Sequence, residues 1–117
     1  MLRAVAETAA QVDGIVGRLG GEEFCILSAA SLTQATETAE ELRAAIEDIR
    51  PLLCGERVTV TSSFGVSERL PKDTVDQLLV RADAALYRAK HAGRNRVVAT
   101  TMSGGAAPVD LALTMPR

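Results

Sequence analysis

A chain of 117 residues is one small domain or a piece of one, long enough to bury a core. Its net charge of −2 and pI near 5.4 argue against a nucleic-acid-binding surface, which needs a basic stripe. No apolar run reaches membrane-spanning length and no signal peptide opens the chain, which reads as soluble and cytoplasmic.

Hydrophobic residues make up 47% of the chain but aromatics only 3%, so the expected core is aliphatic, with Phe24, Phe64 and Tyr87 as its aromatic members. Cys25 and Cys54 are too few for a disulfide framework or a zinc site and read as two reduced thiols. In chain order, residues 2–12 predict a helix with Leu2, Val5, Ala9 and Val12 on one face. Asp13-Gly14 turns the chain into two apolar runs, 14–19 and 24–27, which read as strands of a hairpin around Gly20-Gly21.

Adjacent glycines can take positive φ and let a backbone lie close to a ligand. Glu22 and Glu23 follow directly, and like charges side by side repel. A hard cation makes such a pair useful; with Mg²⁺ it suits triphosphate chemistry, the metal neutralising phosphate charge and activating a hydroxyl. Taken alone, these four residues are more simply a Gly-rich hairpin with two solvated glutamates.

Ser31 opens a second helix through a capping box with Gln34, and Ala35, Ala39, Leu42, Ala45, Ile46 and Ile49 form its apolar face. Glu37, Glu40, Glu41, Arg43, Glu47 and Asp48 read as its solvated face, and Pro51 ends it. Residues 57–66 alternate as a half-buried strand, with Val58, Val60, Phe64 and Val66 on one side. Gly65 in that strand suggests close approach of a backbone or ligand.

Thr74, capping with Gln77, starts a helix to Ala92 whose buried stripe is Val75, Leu78, Leu79, Ala82, Ala85, Leu86 and Ala89. Gly93 stops it, residues 94–100 read as a short last strand, and 101–117 as a flexible tail. That divides the chain into a partial domain over 1–100 and a tail.

Three segments resemble one family. Arg18-Leu19-Gly20-Gly21-Glu22-Glu23-Phe24 resembles the signature of GGDEF domains, with Glu in place of Asp. Thr61-Ser62-Ser63-Phe64-Gly65-Val66 resembles the family's Thr-x-Ser-x-Gly-Val strand. Ala82-Asp83-Ala84-Ala85-Leu86-Tyr87-Arg88-Ala89-Lys90-His91-Ala92-Gly93-Arg94-Asn95 is similar to its AD-x-ALY-x-AK-x-x-GRN segment.

The resemblance implies an α/β (α+β) fold, a palm-like, ferredoxin-related sheet with flanking helices as in nucleotide cyclases. It also implies diguanylate cyclase activity: two GTP are joined into cyclic di-GMP with release of pyrophosphate. Each domain of a homodimer holds one GTP, whose ribose 3′-hydroxyl attacks the partner's α-phosphate. On this resemblance Glu22 would ligate Mg²⁺ (or Mn²⁺), and Glu23 would be a second ligand or assist deprotonation. Gly20 and Gly21 would lie against the nucleotide, and Lys90 and Arg94 would hold its terminal phosphates.

Lys90 and Arg94 also flank a helix C-terminus, where cations complement the dipole without any ligand. Asp83 reads as a local cap or pair, Tyr87 as packing beside the buried stripe and His91, the lone histidine, as exposed.

The family's first strand and helix, with an Asp-x-x-x-Phe-Lys-x-x-Asn-Asp run, have no counterpart here. That run supplies another metal ligand and guanine contacts, and its strand is central in the sheet. The reading is therefore a truncated segment whose own activity is in question. The alternative is an inactive module that binds nucleotide or serves a structural role, with any sensory domain lying upstream. Gln11 and Gly14 stand where the family's product-inhibition site has Arg and Asp, so no tight product binding is expected there.

Overall fold

The computed structural model describes residues 15–20, 23–100 and 111–116. The helix expected over 2–12, with Gln11 and Gly14, lies outside the described residues. The first two strands, β1 (Ile15–Gly20) and β2 (Glu23–Ser28), form the expected antiparallel hairpin, with its register slipping between Arg18 and Gly20.

After β2 comes helix α1 (Leu32–Ile49). Its capping box is formed as expected: the Gln34 N–H donates to Ser31 Oγ at 3.2 Å and the Ser31 N–H to Gln34 Oε1 at 3.2 Å. A cap of this kind is worth roughly 1 kcal/mol. The helix stops at Arg50, in the left-handed region with φ 44°, because Pro51 resists a helical residue before it. Ala35, Ala39, Leu42 and Ile46 are buried, whereas Ala45, expected on the same face, is exposed.

The strand expected over 57–66 is instead divided. Leu52–Leu53 (β3) and Glu56–Arg57 (β4) make a small separate hairpin, and regular pairing resumes only in β5 (Phe64–Glu68). Cys54 and Gly55, with φ of 51° and 82°, turn that hairpin and draw residue 57 out of the main sheet.

Helix α2 (Val75–His91) begins at Thr74, whose Oγ1 accepts the Gln77 N–H at 3.1 Å. Leu78, Ala82, Ala85, Leu86 and Ala89 are buried, but Val75 is exposed. Tyr87 is 63% exposed. It stacks on His91 with ring centroids 3.9 Å apart, so it is a surface residue and not the core aromatic that the sequence suggests. A short β6 (Val97–Ala99) follows.

The largest departure is at the C-terminus. Leu111–Pro116, within the stretch that reads as a flexible tail, forms a strand, β7. It lies in the middle of a five-stranded sheet ordered β1-β2-β7-β5-β6. β7 is antiparallel to β2 along its whole length and antiparallel to β5 over residues 111–114, while β6 runs parallel to β5. The backbone groups of β2 and β5 that face each other across this slot are thereby paired, as buried peptide groups must be.

Alternation along the strands divides the core between two faces. Phe24, Ile26, Phe64 and Val66 pack with α1 residues Ala35, Ala39, Leu42 and Ile46. Cys25, one place out of step, packs with Leu78 and Ala82 of α2. The two helices therefore cover opposite faces of the sheet, and β5 is buried on both sides. Neither cysteine is in a disulfide; Cys25 is buried and Cys54 exposed.

The contact of α2 with the sheet turns on Gly65. A Cβ placed there would lie 2.0 Å from the Ala82 carbonyl oxygen and 2.3 Å from the Leu86 nitrogen. The close approach suggested by the sequence is thus that of a helix backbone. Next to it, the buried Ser67 hydroxyl donates to the Leu78 carbonyl at 2.8 Å. At the far end Arg81 pairs with Asp73 and donates to the Glu68 carbonyl at 2.9 Å. The Arg81 guanidinium holds the Asp73 carboxyl below its ordinary value, aided by the Leu70 N–H.

Two outcomes are expected. Gly65→Ala should destabilise the fold by at least about 3 kcal/mol in urea unfolding, the upper range for overpacking, since the clash is with backbone and cannot be relieved by a rotamer change. A chain ending at Thr100 should lose its central strand and aggregate or unfold non-cooperatively, as read by size-exclusion chromatography and circular dichroism; a monomer with native-like cooperativity would contradict the role given to β7.

Candidate active site

One row of residues crosses all five strands: Gly17 pairs with Cys25, Cys25 with Thr114, Thr114 with Gly65 and Gly65 with Val98. With the strand directions, this row fixes which loops share an end of the sheet. Gly20 and Glu23, paired opposite each other, lie beyond the row at the same end as Ser63 and Arg96. The glycine turn and the turn between α2 and β6 therefore rim one end. β2 and β6 are three strands apart, or roughly 14 Å at the usual spacing.

Of the residues expected at this site, Glu23 is half-buried at the start of β2, and its backbone pairs with Gly20 on one side and Pro116 on the other. Gly20 is the last residue of β1. Gly21 and Glu22 lie outside the described residues. Lys90 is half-buried in the last turn of α2, with Arg88 and His91 beside it, and Arg94 is exposed just beyond. Neither the Lys90 nor the Arg94 side chain makes a hydrogen bond or ion pair among the described residues. His91 is exposed, as expected, with Nδ1 3.0 Å from the Tyr87 carbonyl; Asp83, expected as a local cap or pair, is exposed and makes no such contact among the described residues.

The backbone that presents Arg94 is unusual. Gly93, Arg94 and Asn95 have φ of 123°, 62° and 47° in succession. A run of positive φ cannot continue a helix or start a strand, which is why β6 begins at Val97 and not at Arg94. The turn is tied back by the Ala92 N–H to the Arg88 carbonyl at 2.9 Å and by the Arg94 N–H to the Ala89 carbonyl at 3.0 Å. Helical carbonyls at that end carry partial negative charge and favour cations nearby.

Sequence reasoning passed over the residues that surround this turn. Asn95 and the Glu40–Arg43–Glu47 series of α1 form one network with it. Arg43 Nη1 donates to Asn95 Oδ1 at 2.9 Å, and Asn95 Nδ2 donates to Glu47 Oε2 at 2.7 Å. The Arg43 fork grips Glu40, with Nε donating at 3.0 Å; this contact holds the Glu40 carboxyl below its ordinary range and the guanidinium above its own. Spacing of three and four residues on one helix face was the available signal, but it does not say which loop the face meets.

Among the described residues no three His, Cys, Asp or Glu side chains converge on a point that could hold a metal ion. Of the adjacent carboxylate residues Glu22 and Glu23, Glu23 is the one described at this end. Mg²⁺ is commonly held by one or two carboxylates with waters and substrate phosphates completing the shell, so the pair fits such an ion chemically.

Comparison with known proteins supplies the family context. A model of the diguanylate cyclase GGDEF domain matches residues 1–96. Diguanylate cyclase VdcA of Vibrio cholerae is 39% identical over 105 residues, which is 84% of this chain and 31% of that protein. Diguanylate cyclase DgcP of Pseudomonas aeruginosa is 41% identical over 83 residues, 70% of this chain and 12% of that protein.

Among solved structures, the GGDEF domain of DgcB from Caulobacter crescentus in complex with c-di-GMP has a TM-score of 0.78 at 33% identity, covering 84% of this chain and 61% of that one. Diguanylate cyclase SiaD of Pseudomonas aeruginosa, in complex with its activator SiaC, gives 0.75 at 33% identity, covering 82% and 38%. The chain thus spans about a third or less of the curated relatives, and the mixed α/β fold is the palm-like fold of cyclase domains.

A structural test separates presentation of Arg94 from its charge. A non-glycine residue in the left-handed region costs roughly 1–2 kcal/mol, so Arg94→Gly should leave the thermal midpoint unchanged or raise it, within the limit set by the extra chain entropy of glycine. A clear fall would show that the Arg94 side chain itself holds the fold.

Proposed function

The chain belongs to the diguanylate cyclase GGDEF-domain family, and from that premise we propose that it forms one GTP half-site of a homodimeric diguanylate cyclase. The observation that carries this reading is the shared end of the sheet, where Gly20 and Glu23 and the Lys90–Arg94 turn all lie. The hairpin end supplies carboxylates and close backbone approach; the turn supplies two cations unengaged by other described side chains. A triphosphate needs both.

The family is metal-dependent, and Glu22 and Glu23 are the residues proposed to hold Mg²⁺ (or Mn²⁺), which when bound would neutralise charge on the phosphates. Lys90 and Arg94 bind the terminal phosphates and stabilise the charge that gathers on the leaving pyrophosphate. Gly20 and Gly21 let the turn lie along the nucleotide. Glu23 is the residue proposed to help take the proton from a 3′-hydroxyl.

In each of two equivalent steps that oxygen bonds to the α-phosphorus held by the other subunit, the bond to the bridging oxygen breaks, and pyrophosphate leaves with the electron pair. No helix among the described residues is long and apolar enough to cross a membrane; the proposed reaction is one on a dissolved nucleotide in the cytoplasm.

One observation favours a second reading, nucleotide binding without turnover. On one side Glu23 pairs with Pro116 of β7, a strand whose sequence Leu-Ala-Leu-Thr-Met-Pro contains no carboxylate or amide residue. The deciding experiment is incubation with GTP and Mg²⁺ followed by chromatography of the nucleotides. Cyclic di-GMP should form and fall at least about 100-fold with Glu23→Gln, the range expected on losing a group that assists proton transfer. GTP binding without product would move the conclusion to the second reading, and neither binding nor product would reject both.

A further inference from the structure

We infer that Asn95 is a positioning residue for Arg94, acting through a hydrogen-bonded clamp to α1; the inference rests on the phosphate-binding role proposed for Arg94. Three features of the turn lead to it. Arg94 is exposed and its guanidinium has no partner among the described residues, so nothing at its tip orients it. Its backbone stands at φ 62°, where only glycine is at ease and asparagine is tolerated. Its direction must therefore be imposed by the chain on either side.

On the N-terminal side the restraint comes from backbone hydrogen bonds alone. Gly93 precedes it, and the Arg94 N–H reaches the Ala89 carbonyl at 3.0 Å. On the C-terminal side Asn95 is fixed at three points. Its N–H donates to the Ser63 hydroxyl at 3.1 Å, its Oδ1 accepts from Arg43 at 2.9 Å and its Nδ2 donates to Glu47 at 2.7 Å. Ser63 is buried in the run leading into β5, and Arg43 is itself held by Glu40 and lies 3.6 Å from Glu47 Oε1. The turn is thus bolted to a strand on one side and a helix on the other.

An amide is suited to this place because it offers an acceptor to a cation and a donor to a carboxylate from one planar group. Aspartate would keep the first contact and set two carboxylates against each other in the second. Changing Glu47 to glutamine at the same time would turn its amide into the donor and restore the bond with the net charge unchanged. That exchange gives a test which generic loss of stability cannot imitate.

Binding of GTP and of GMP is titrated by calorimetry for the full chain and four variants. Arg94→Ala should weaken GTP at least tenfold and leave GMP within about twofold, since only GTP carries the terminal phosphates. Asn95→Asp should weaken GTP about tenfold with GMP unchanged, and Asn95→Asp combined with Glu47→Gln should recover GTP to within about twofold. Asn95→Gly tolerates the left-handed backbone but removes both side-chain anchors, and it should match Asn95→Asp; it decides the matter if the aspartate variant does not fold.

If Arg94→Ala leaves GTP binding unchanged, the phosphate role fails and the inference falls with it. If Arg94→Ala weakens GTP but the Asn95 variants do not, the inference alone is wrong. Equal loss of GTP and GMP in the Asn95 variants, or no recovery in the double variant, would also overturn it.

Discussion

The seating of α2 against β5 is the constraint on which the site depends. Gly65 presents no side chain to the helix, and the Ala82 carbonyl and Leu86 nitrogen occupy the space a Cβ would need. Everything at the C-terminal end of α2 inherits its position from that contact. Lys90 and the Gly93-Arg94-Asn95 turn reach the end of the sheet that carries Glu23 because the helix lies where it does. Alanines at 82, 85 and 89 along the buried face serve the same purpose, since small side chains let two backbones approach. The backbone that carries these cations is thus fixed by packing.

The elements legible in the sequence are those whose evidence is local. Both capping boxes are four-residue patterns, and both form with the expected donors and acceptors. The helical stripes are periodic over many residues, and only their limits shift: Ala45 sits at the side of its apolar face and Val75 is the first residue of its helix, and both are exposed. Tyr87 is a different case: at about 100° per residue it stands roughly 155° around the helix from the centre of the buried set Leu78, Ala82, Ala85, Leu86 and Ala89, on the opposite face.

Less of the site was legible, because its geometry is made by contacts distant in the chain. Arg43 and Asn95 are 52 positions apart, and no periodicity within α1 marks Arg43 and Glu47 as different from Glu37 or Asp48. Their role depends on the α2–β6 turn arriving opposite that face. The turn itself was hidden by its composition, since only one of its three left-handed residues is a glycine. Arg94 in such a conformation carries a local strain that a search for favourable propensities does not look for, and strained residues gather where function over-determines the backbone. The glycine–glutamate turn was plain as a motif, and the structure sets its Gly20 and Glu23 opposite each other at the expected hairpin end.

β7 shows how a central strand can escape notice. Its apolar residues sit in a short run after a Ser-Gly-Gly-Ala-Ala-Pro stretch that reads as linker, and at six residues its pattern competes poorly with any neighbour's. What gives it a place is not its own propensity but the gap between β2 and β5. Two strands running in the same direction, with helices on both faces, leave one lane of unpaired peptide groups between them. An antiparallel strand satisfies both walls, and β7 runs that way. The end of the lane then matters chemically. Because Pro116 is the residue opposite Glu23, whatever occupies the lane sets the backbone partner of Glu23 at the end of the hairpin. Sheet completion and the electrostatics of the site are in this fold the same question, with the central strand supporting the hairpin along its length and defining the site at its tip.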